Sequence, residues 1–441
     1  IIFVDAWLGP ELAGAAADAV EFDNVEFVVI GSEEIDELDA TPGEEFIAGH
    51  DTEYDYPELS EDRPAGMCYT SGTTGRPKGV EYTHKMLWAH TMESLTPQGI
   101  PMRDDDVVMP VVPMFHVNAW GMPFTATAAG AKQVFPGPSP NPEDIAHLIE
   151  NEGVTITAGV PTVWLGLMDY CEENEVDLSA LNTVIVGGSA APESMIRWFD
   201  EQDVELLHAW GMSEMSPLGT VSHLKSDLES ADYETQINHR KKQGLVVPGL
   251  EFRVINDDGE EIAWDGEEFG ELHVRGPSVT TEYFQRPDAN EEDFEDGWLL
   301  TGDIVSVDAS GYIKIVDRAK DVIKSGGEWI SSVELENAIM AHDDVSEATV
   351  IGVPHEKWQE RPVGFVVPAA GADEDDMGEQ LMTMLAEEYP KWWLPDDIVF
   401  IDEVPKTATG KFSKKDLRDQ YGDASLVEGQ TPDDAAPSSD D

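Results

Sequence analysis

Between residues 107 and 210, short apolar runs alternate with longer amphipathic stretches, and this alternation constrains the fold more than any other feature. Residues 107–113 predict a fully apolar strand. Helix 141–152, strand 155–160, helix 161–174, strand 183–187, helix 192–202 and strand 204–210 follow. Strands that alternate with helices in this way build a largely parallel sheet covered on both faces. Such sheets bind ligands beyond the carboxyl ends of their strands. Two loops fall at that edge: Gly187-Gly188-Ser189-Ala190-Ala191-Pro192 and Trp210-Gly211-Met212-Ser213-Glu214.

The flanking segments are organised differently. Residues 1–60 predict strands at 1–4 and 25–30 and a helix at 10–20, whereas 33–62 is acidic and turn-rich and reads as exposed loop. From Gly244 the segments shorten and alternate, with Asp258-Gly259 and Asp265-Gly266 turns, which predicts a β-rich subdomain reaching Thr301-Gly302-Asp303. Residues 317–321 have the composition of a linker. A small α+β domain follows. Ser331 and Glu334 form a capping box, Leu335 and Ile339 share one face of the helix it opens, and strands 345–353 and 363–367 and helix 376–389 complete it.

The last segment, 422–441, holds six acids and no base and predicts a disordered tail. At 441 residues, two or three domains are expected. The fold class is α/β: a large multi-layer domain over 1–316 with its β-rich subdomain at about 244–316, then a small α+β domain over 317–421. The chain opens on Ile1-Ile2-Phe3-Val4 without an initiator Met, so the expectation is that an N-terminal portion is missing.

Charge narrows the setting. There are 90 acidic and 26 basic residues, a net charge of −64, dispersed over well-patterned segments with 41% hydrophobic residues. Disordered chains combine charge with low hydrophobicity, so disorder is a poor explanation. Adaptation to high salt is a better one. At 1 M salt the Debye length is about 3 Å and surface carboxylates are screened, whereas at low salt their repulsion destabilises the compact state. The same charge excludes nucleic acid, which needs a basic surface, and disfavours an anionic membrane. No apolar run approaches the ~18 residues of a membrane span. Cys68 and Cys171 make no disulfide framework and lie in apolar surroundings, which fits small core residues in a reducing cytoplasm.

Residues 69–80 read Tyr-Thr-Ser-Gly-Thr-Thr-Gly-Arg-Pro-Lys-Gly-Val. Glycines that turn backbone N–H groups towards a ligand, hydroxyl donors and two cations, Arg76 and Lys78, make an anion-binding loop. It is not a Walker A loop, because Lys78 lies between Pro77 and Gly79. The approach through Met67-Cys68-Tyr69 and a helix near Thr83 give a strand–loop–helix context. His116, in Phe115-His116-Val117-Asn118-Ala119-Trp120, would by itself be read as a core histidine.

Six segments in order (69–80, 187–192, 210–217, 301–303, 317–321 and 405–411) resemble the acyl-CoA synthetases of the adenylate-forming superfamily, which also holds luciferases and peptide-synthetase adenylation domains. Residues 115–120, 324–332 and 405–415 are most similar to medium- and long-chain fatty-acyl-CoA synthetases, a group that includes 3-methylmercaptopropionyl-CoA ligase. The resemblance implies that a carboxylate attacks the α-phosphate of ATP, giving acyl-AMP and pyrophosphate, and that the CoA thiol then displaces AMP. No protein nucleophile is needed. Magnesium and positive side chains would offset the repulsion between the two anions.

The resemblance also implies roles. Glu214 and Thr70 would coordinate magnesium, oxygen ligands suited to that ion. Ser71, Thr73, Thr74 and Lys78 would hold the pyrophosphate side of ATP. Val117, Gly188, His208, Ala209 and Ser213 would surround the adenylate, with Trp210, in place of the usual Tyr, stacking on adenine. Asp303 would accept from the ribose hydroxyls, helped by Arg318 and Lys320. Lys411, in the Pro405-Lys406-Thr407-Ala408-Thr409-Gly410-Lys411 loop, would bridge the substrate carboxylate and the α-phosphate. Asp317 would be the hinge about which the small domain rotates, bringing Lys324, Gly326, Gly327 and Trp329 to the adenylate and CoA in a second state. Trp120 would gate the fatty-acid tunnel, and the complete protein would pair as a homodimer. The basic residues near Lys411 (Lys406, Lys414, Lys415 and Arg418) and near Arg318 (Lys314, Lys320 and Lys324) are expected to cluster around a polyanionic ligand. Other expectations stay open: an adenylating enzyme with another acid or acceptor, such as a carrier-protein phosphopantetheine, a luciferase-type oxygenation, or an inactive truncated remnant.

Overall fold

The computed structural model describes residues 1–5, 25–30, 40–48, 50, 53–70, 77–326, 328–342, 344–355, 357–369, 371–372, 376–406 and 412–421. Two compact units divide the chain, Ile1–Leu59 and Ser60–Asp441.

In the first unit, β1 (Ile2–Asp5), β2 (Phe27–Ile30) and β3 (Ala40–Pro42) form a parallel sheet around Val4, Phe27 and Val29. A helix, Gly43–Ile47, follows β3. Residues 33–62 are expected to be loop or exposed surface; Gly43–Ile47 has no buried residue, but the loop reading is corrected at 40–47, where the β2 backbone supplies ladder partners to Ala40 and Thr41 that composition does not reveal. The helix expected at 10–20 and the tail at 422–441 lie outside the described residues.

The second unit opens with an antiparallel hairpin, β4 (Pro64–Thr70) and β5 (Lys78–Thr83). The helix expected near Thr83 is found, as His84–Ser94, but the strand–loop–helix order is corrected: β5 stands between the loop and that helix and pairs with β4. Thr83 caps that helix by accepting from the Met86 N–H, as Thr does before a helical run. Val80 and Tyr82 are fully buried, which ties the hairpin to the body.

The alternating region forms a seven-stranded sheet from β6 (Val107–Pro110), β7 (Lys132–Gln133), β8 (Ile156–Gly159), β9 (Thr183–Val186), β10 (Glu205–Gly211), β11 (Leu218–Val221) and β12 (Leu245–Val246). The order is β12-β11-β10-β9-β8-β6-β7. Strands β6 to β10 run parallel, and β11 and β12 antiparallel. Strand β6 ends at Pro110 rather than at 113; the Val111 N–H still donates to the Ala158 carbonyl at 2.9 Å, and Pro113 has no N–H to carry the ladder further. Side chains alternate between faces, as strand geometry demands. Val184 and Val186 join one apolar layer with Ile145, Trp164 and Phe199, while Ile185 joins the other with Met122 and Ala126. Both faces are therefore covered.

Next come β13 (Glu251–Ile255), β14 (Phe269–Arg275), β15 (Phe294–Glu295), β16 (Trp298–Val307) and β17 (Ile313–Arg318), an antiparallel sheet. The last sheet holds β18 (Ile323–Ser325), β19 (Glu328–Ile330), β20 (Val345–His355), β21 (Gln359–Pro368) and β22 (Asp397–Phe400). Ser331 caps the helix Ser332–Met340, with Leu335 and Ile339 buried on one face. The chain changes sheets between Arg318 and Ile323.

Candidate active site

The carboxyl edge of the parallel strands carries the site. After β9, Gly188 takes a left-handed φ of 80°, which glycine adopts without steric cost. A Cβ on Gly187 would lie 3.0 Å from both the Trp120 ring and the Ala209 carbonyl, so the indole rests directly on this loop. Trp120 arrives there through a left-handed turn: Val117, Asn118, Ala119 and Trp120 all have φ between 41° and 56°. That conformation costs L-residues roughly 1–2 kcal/mol each, so packing must hold it. Val117 and Ala119 are buried. His90 fills the space beside Gly121, where a Cβ would sit 2.3 Å from the imidazole. Burial pushes the His90 pKa down to about 3, so the ring is neutral. The Val117 side chain is spent on the core beneath the hairpin, with Cys68, Val80 and Tyr283.

On β10, His208, Ala209 and Trp210 are all buried. Burial lowers the His208 pKa to about 4, and its Nδ1 lies 3.1 Å from the Lys241 carbonyl. The Trp210 indole N–H donates to Asp303 Oδ2 at 2.9 Å, and Arg318 Nε lies 2.7 Å from Asp303 Oδ1. Asp303 on β16 and Arg318 on β17 are register partners, so the sheet itself sets this pair.

Thr70 and Lys78 are register partners at the end of the hairpin from which the hydroxyl-rich loop departs. Ser71, Thr73 and Thr74 lie outside the described residues, as do Gly327 and Lys411. Strand β4 packs against the short helical turn Ser213–Met215. That turn is fixed by its carbonyls: Ser213 O accepts from the Tyr82 hydroxyl at 2.9 Å, and Glu214 O from the Thr280 N–H at 2.7 Å. The Glu214 carboxyl is 5% exposed, and its Oε1 accepts from the Tyr283 hydroxyl at 2.7 Å. Burial raises its pKa, opposed by the Tyr283 bond and by the charges of Arg318 and Lys78. A buried carboxyl on the turn against which β4, the strand that ends at Thr70, packs is a hard-oxygen donor of the kind that suits magnesium, an ion that keeps most of its other positions for water and phosphate. Among the described residues, no group of three or more His, Cys, Asp or Glu could hold a metal.

Lys78 forms an ion pair with Asp293, and its ammonium lies 4.8 Å from the centre of the Tyr283 ring. Burial comes first in lowering the Lys320 pKa, with the charges of Arg318, Arg418 and Lys78 acting in the same direction. Tyr283 and Asp293 escaped the sequence reading. They lie about two hundred residues from Lys78 and sit in no phosphate-like string, so only the fold brings them in.

Asp317 is buried. Its Oδ2 accepts from the Ser332 N–H at 2.7 Å and hydroxyl at 2.6 Å, and its Oδ1 from the Arg318 N–H at 2.8 Å. Lys414 joins the same cluster, 2.7 Å from Glu336 and hydrogen-bonded to Ser332. Lys324 lies over Trp329 at 5.1 Å, Trp329 packs on Phe269 at 5.3 Å, and the Gly326 N–H donates to Trp358 O at 2.8 Å. These contacts do not join Lys324, Gly326 or Trp329 to the Glu214–Lys78 group. The idea that clustered bases require a polyanion is corrected for four of them. Lys314 pairs with Glu334, Lys406 with Glu347, Lys414 with Glu336 and Arg418 with Asp321. Internal carboxylates account for their placement. Cys68 and Cys171 are free, Cys68 buried and Cys171 half-buried.

A family model described as AMP-binding enzyme matches residues 8–284, and one described as AMP-binding enzyme C-terminal domain matches residues 334–411. The chain is 44% identical over 96% of its length to a 3-methylmercaptopropionyl-CoA ligase of Ruegeria lacuscaerulensis, covering 78% of that protein. It is 46% identical over 84% of its length to a long-chain-fatty-acid–CoA ligase of Thermus thermophilus, covering 68% of that protein. Among solved structures, an anthranilate CoA ligase with anthranoyl-AMP shares the fold (TM-score 0.83, 23% identity, covering 96% of this chain and 78% of that one). The ATP-bound MatB of Rhodopseudomonas palustris is also similar (TM-score 0.81, 25% identity, covering 96% and 79%). No helix among the described residues is long and apolar enough to cross a membrane.

Proposed function

Because the chain belongs to the AMP-binding enzyme family, we propose that it activates a fatty acid with ATP to acyl-AMP and pyrophosphate, then transfers the acyl group to the sulfur of CoA with release of AMP. The observation that carries this reading is the convergence of Trp210 on β10, Asp303 on β16, Arg318 on β17, Glu214 on the Ser213–Met215 turn and Lys78 on β5. It provides a ribose acceptor, an aromatic wall and positive charge beside one buried carboxyl.

In this reading Asp303 binds the ribose and Arg318 holds Asp303 in place, while Gly188, His208, Ala209 and Ser213 enclose the adenylate. His208 stays neutral at physiological pH and acts as a packing and hydrogen-bonding group rather than a charge. Trp120, seated on Gly187, closes the acid side. Thr70 and Glu214 would hold magnesium, which when bound supplies neutralising charge to the phosphates. Lys78, with Ser71, Thr73 and Thr74, holds the pyrophosphate side, and Lys411 bridges the two reacting anions. Asp317 is the hinge between a large domain over 1–316 and a small one over 317–421, with Lys320 beside the phosphates and Lys324, Gly326, Gly327 and Trp329 serving the CoA step. The working setting is a salty, reducing cytoplasm.

A second reading, 3-methylmercaptopropionate as the acid, is favoured by the 44% identity to the Ruegeria enzyme. The test is acid-dependent pyrophosphate–ATP exchange in molar KCl, with fatty acids and 3-methylmercaptopropionate in parallel, then with CoA. Exchange and acyl-CoA formation with fatty acids support the first reading. Exclusive use of the sulfur acid supports the second. Exchange without acyl-CoA formation would point to another acceptor, and no exchange with any acid would refute adenylation altogether.

A further inference from the structure

We propose that Asp293 is a positioning residue that competes with the phosphates for Lys78, and that this competition weakens the hold on pyrophosphate and speeds its departure. The proposal rests on the reading of Lys78 as a pyrophosphate ligand.

Asp293 is the last residue of the helix Pro287–Asp293. A negative charge at a helix C-terminus faces the negative end of the helix dipole, so helix stability does not explain it there. What it faces instead is Lys78. The two side chains are only 13% and 22% exposed, so this is not a freely solvated surface pair. Salt screens partly buried pairs much less than exposed ones. Lys78 is also fixed from below by the Tyr283 ring, while the Tyr283 hydroxyl donates to Glu214. Asp293 and Glu214 both lie close enough to Tyr283 to act on its phenol, which their charges and its burial hold in the protonated form.

One lysine is therefore shared between an internal carboxylate and a ligand that must arrive as part of ATP and leave as pyrophosphate. When phosphate oxygens occupy Lys78, Asp293 loses that ion pair. When pyrophosphate leaves, Asp293 recovers it. The carboxylate thus favours the released state.

The test uses magnesium pyrophosphate as the probe, with its binding to the full chain measured by calorimetry in molar KCl without acid or CoA. Asp293→Asn is close to isosteric and should tighten pyrophosphate binding about tenfold, the equivalent of about 1.4 kcal/mol of competition removed. In a Lys78→Met background the same substitution should tighten binding far less than tenfold, because only the general loss of one nearby negative charge is left to act. Unchanged or weaker binding in Asp293→Asn overturns the proposal, as does a shift of the same size without Lys78. If Asp293→Asn does not fold, judged by its melting curve, Asp293→Ser replaces it with the same expectation. Wild-type protein that binds no pyrophosphate overturns both this proposal and the role of Lys78. Failure of acid-dependent exchange alone would refute the proposed function and leave the binding comparison standing.

Discussion

Glu93 offers a sharp test of how the second unit carries a buried carboxyl. It lies on the helix His84–Ser94 and is 5% exposed, and neither carboxyl oxygen has a hydrogen-bond partner among the described residues. The nearby Ser278 hydroxyl is likewise unpartnered. Gly249 approaches so closely that a Cβ there would sit 2.7 Å from Oε1. Burial raises the Glu93 pKa above its ordinary 4.5. The folded state therefore binds more protons than the unfolded state between the two pKa values. Stability must fall as pH rises from about 4.5 through that window, then level off.

Two substitutions separate the terms. Glu93→Gln keeps the shape and removes the titration, so the pH-dependent fall attributable to this site should vanish. Glu93→Leu also removes the unpartnered polar group, whose desolvation costs about 1–3 kcal/mol. At neutral pH it should be more stable than wild type by about that amount. Urea unfolding in molar KCl, repeated across pH, reads both effects. A Leu variant less stable than wild type at neutral pH, or a Gln variant with an unchanged pH slope, would refute the reasoning, because the carboxylate would then have a partner worth more than its burial costs.

Two further outcomes follow from the rest of the chain. Lys411→Ala should reduce adenylate formation by roughly a hundredfold or more, the scale of losing one charge-stabilising donor, while leaving thioester formation from preformed acyl-AMP largely intact. Single-turnover assays of each half-reaction check this, and equal loss in both would sink the assignment. Desalting should unfold the protein through self-repulsion of its −64 net charge, and a native-like circular dichroism spectrum in millimolar buffer would show that the acidic surface is not an adaptation to salt.

The alternation of β6 to β10 with helices was legible because periodicity and strand length are local properties. So were the Ser331 cap, the helix near Thr83 and the family motifs, which are strings of neighbouring residues. Glu214 and Asp303 could be picked out by their motifs, but not by what touches them. The Trp210–Asp303 bond joins β10 to β16, the Tyr283–Glu214 bond joins residues 69 apart, and the Lys78–Asp293 pair joins residues 215 apart. Such pairings depend on sheet order and register, which no short window contains.

Sequence alone determined the α/β class, the family's phosphate and adenylate strings and the acidic character of the chain, because each is written in neighbouring residues or in composition. The tertiary structure decided that the hydroxyl-rich loop closes a hairpin rather than opening a helix. It decided that four clustered bases are matched to internal carboxylates, that Glu93 is buried without a partner, and that Lys78 is held by a carboxylate. A charge's partner is set by distance in space, and for these residues that distance is fixed only when separate sheets and helices pack together.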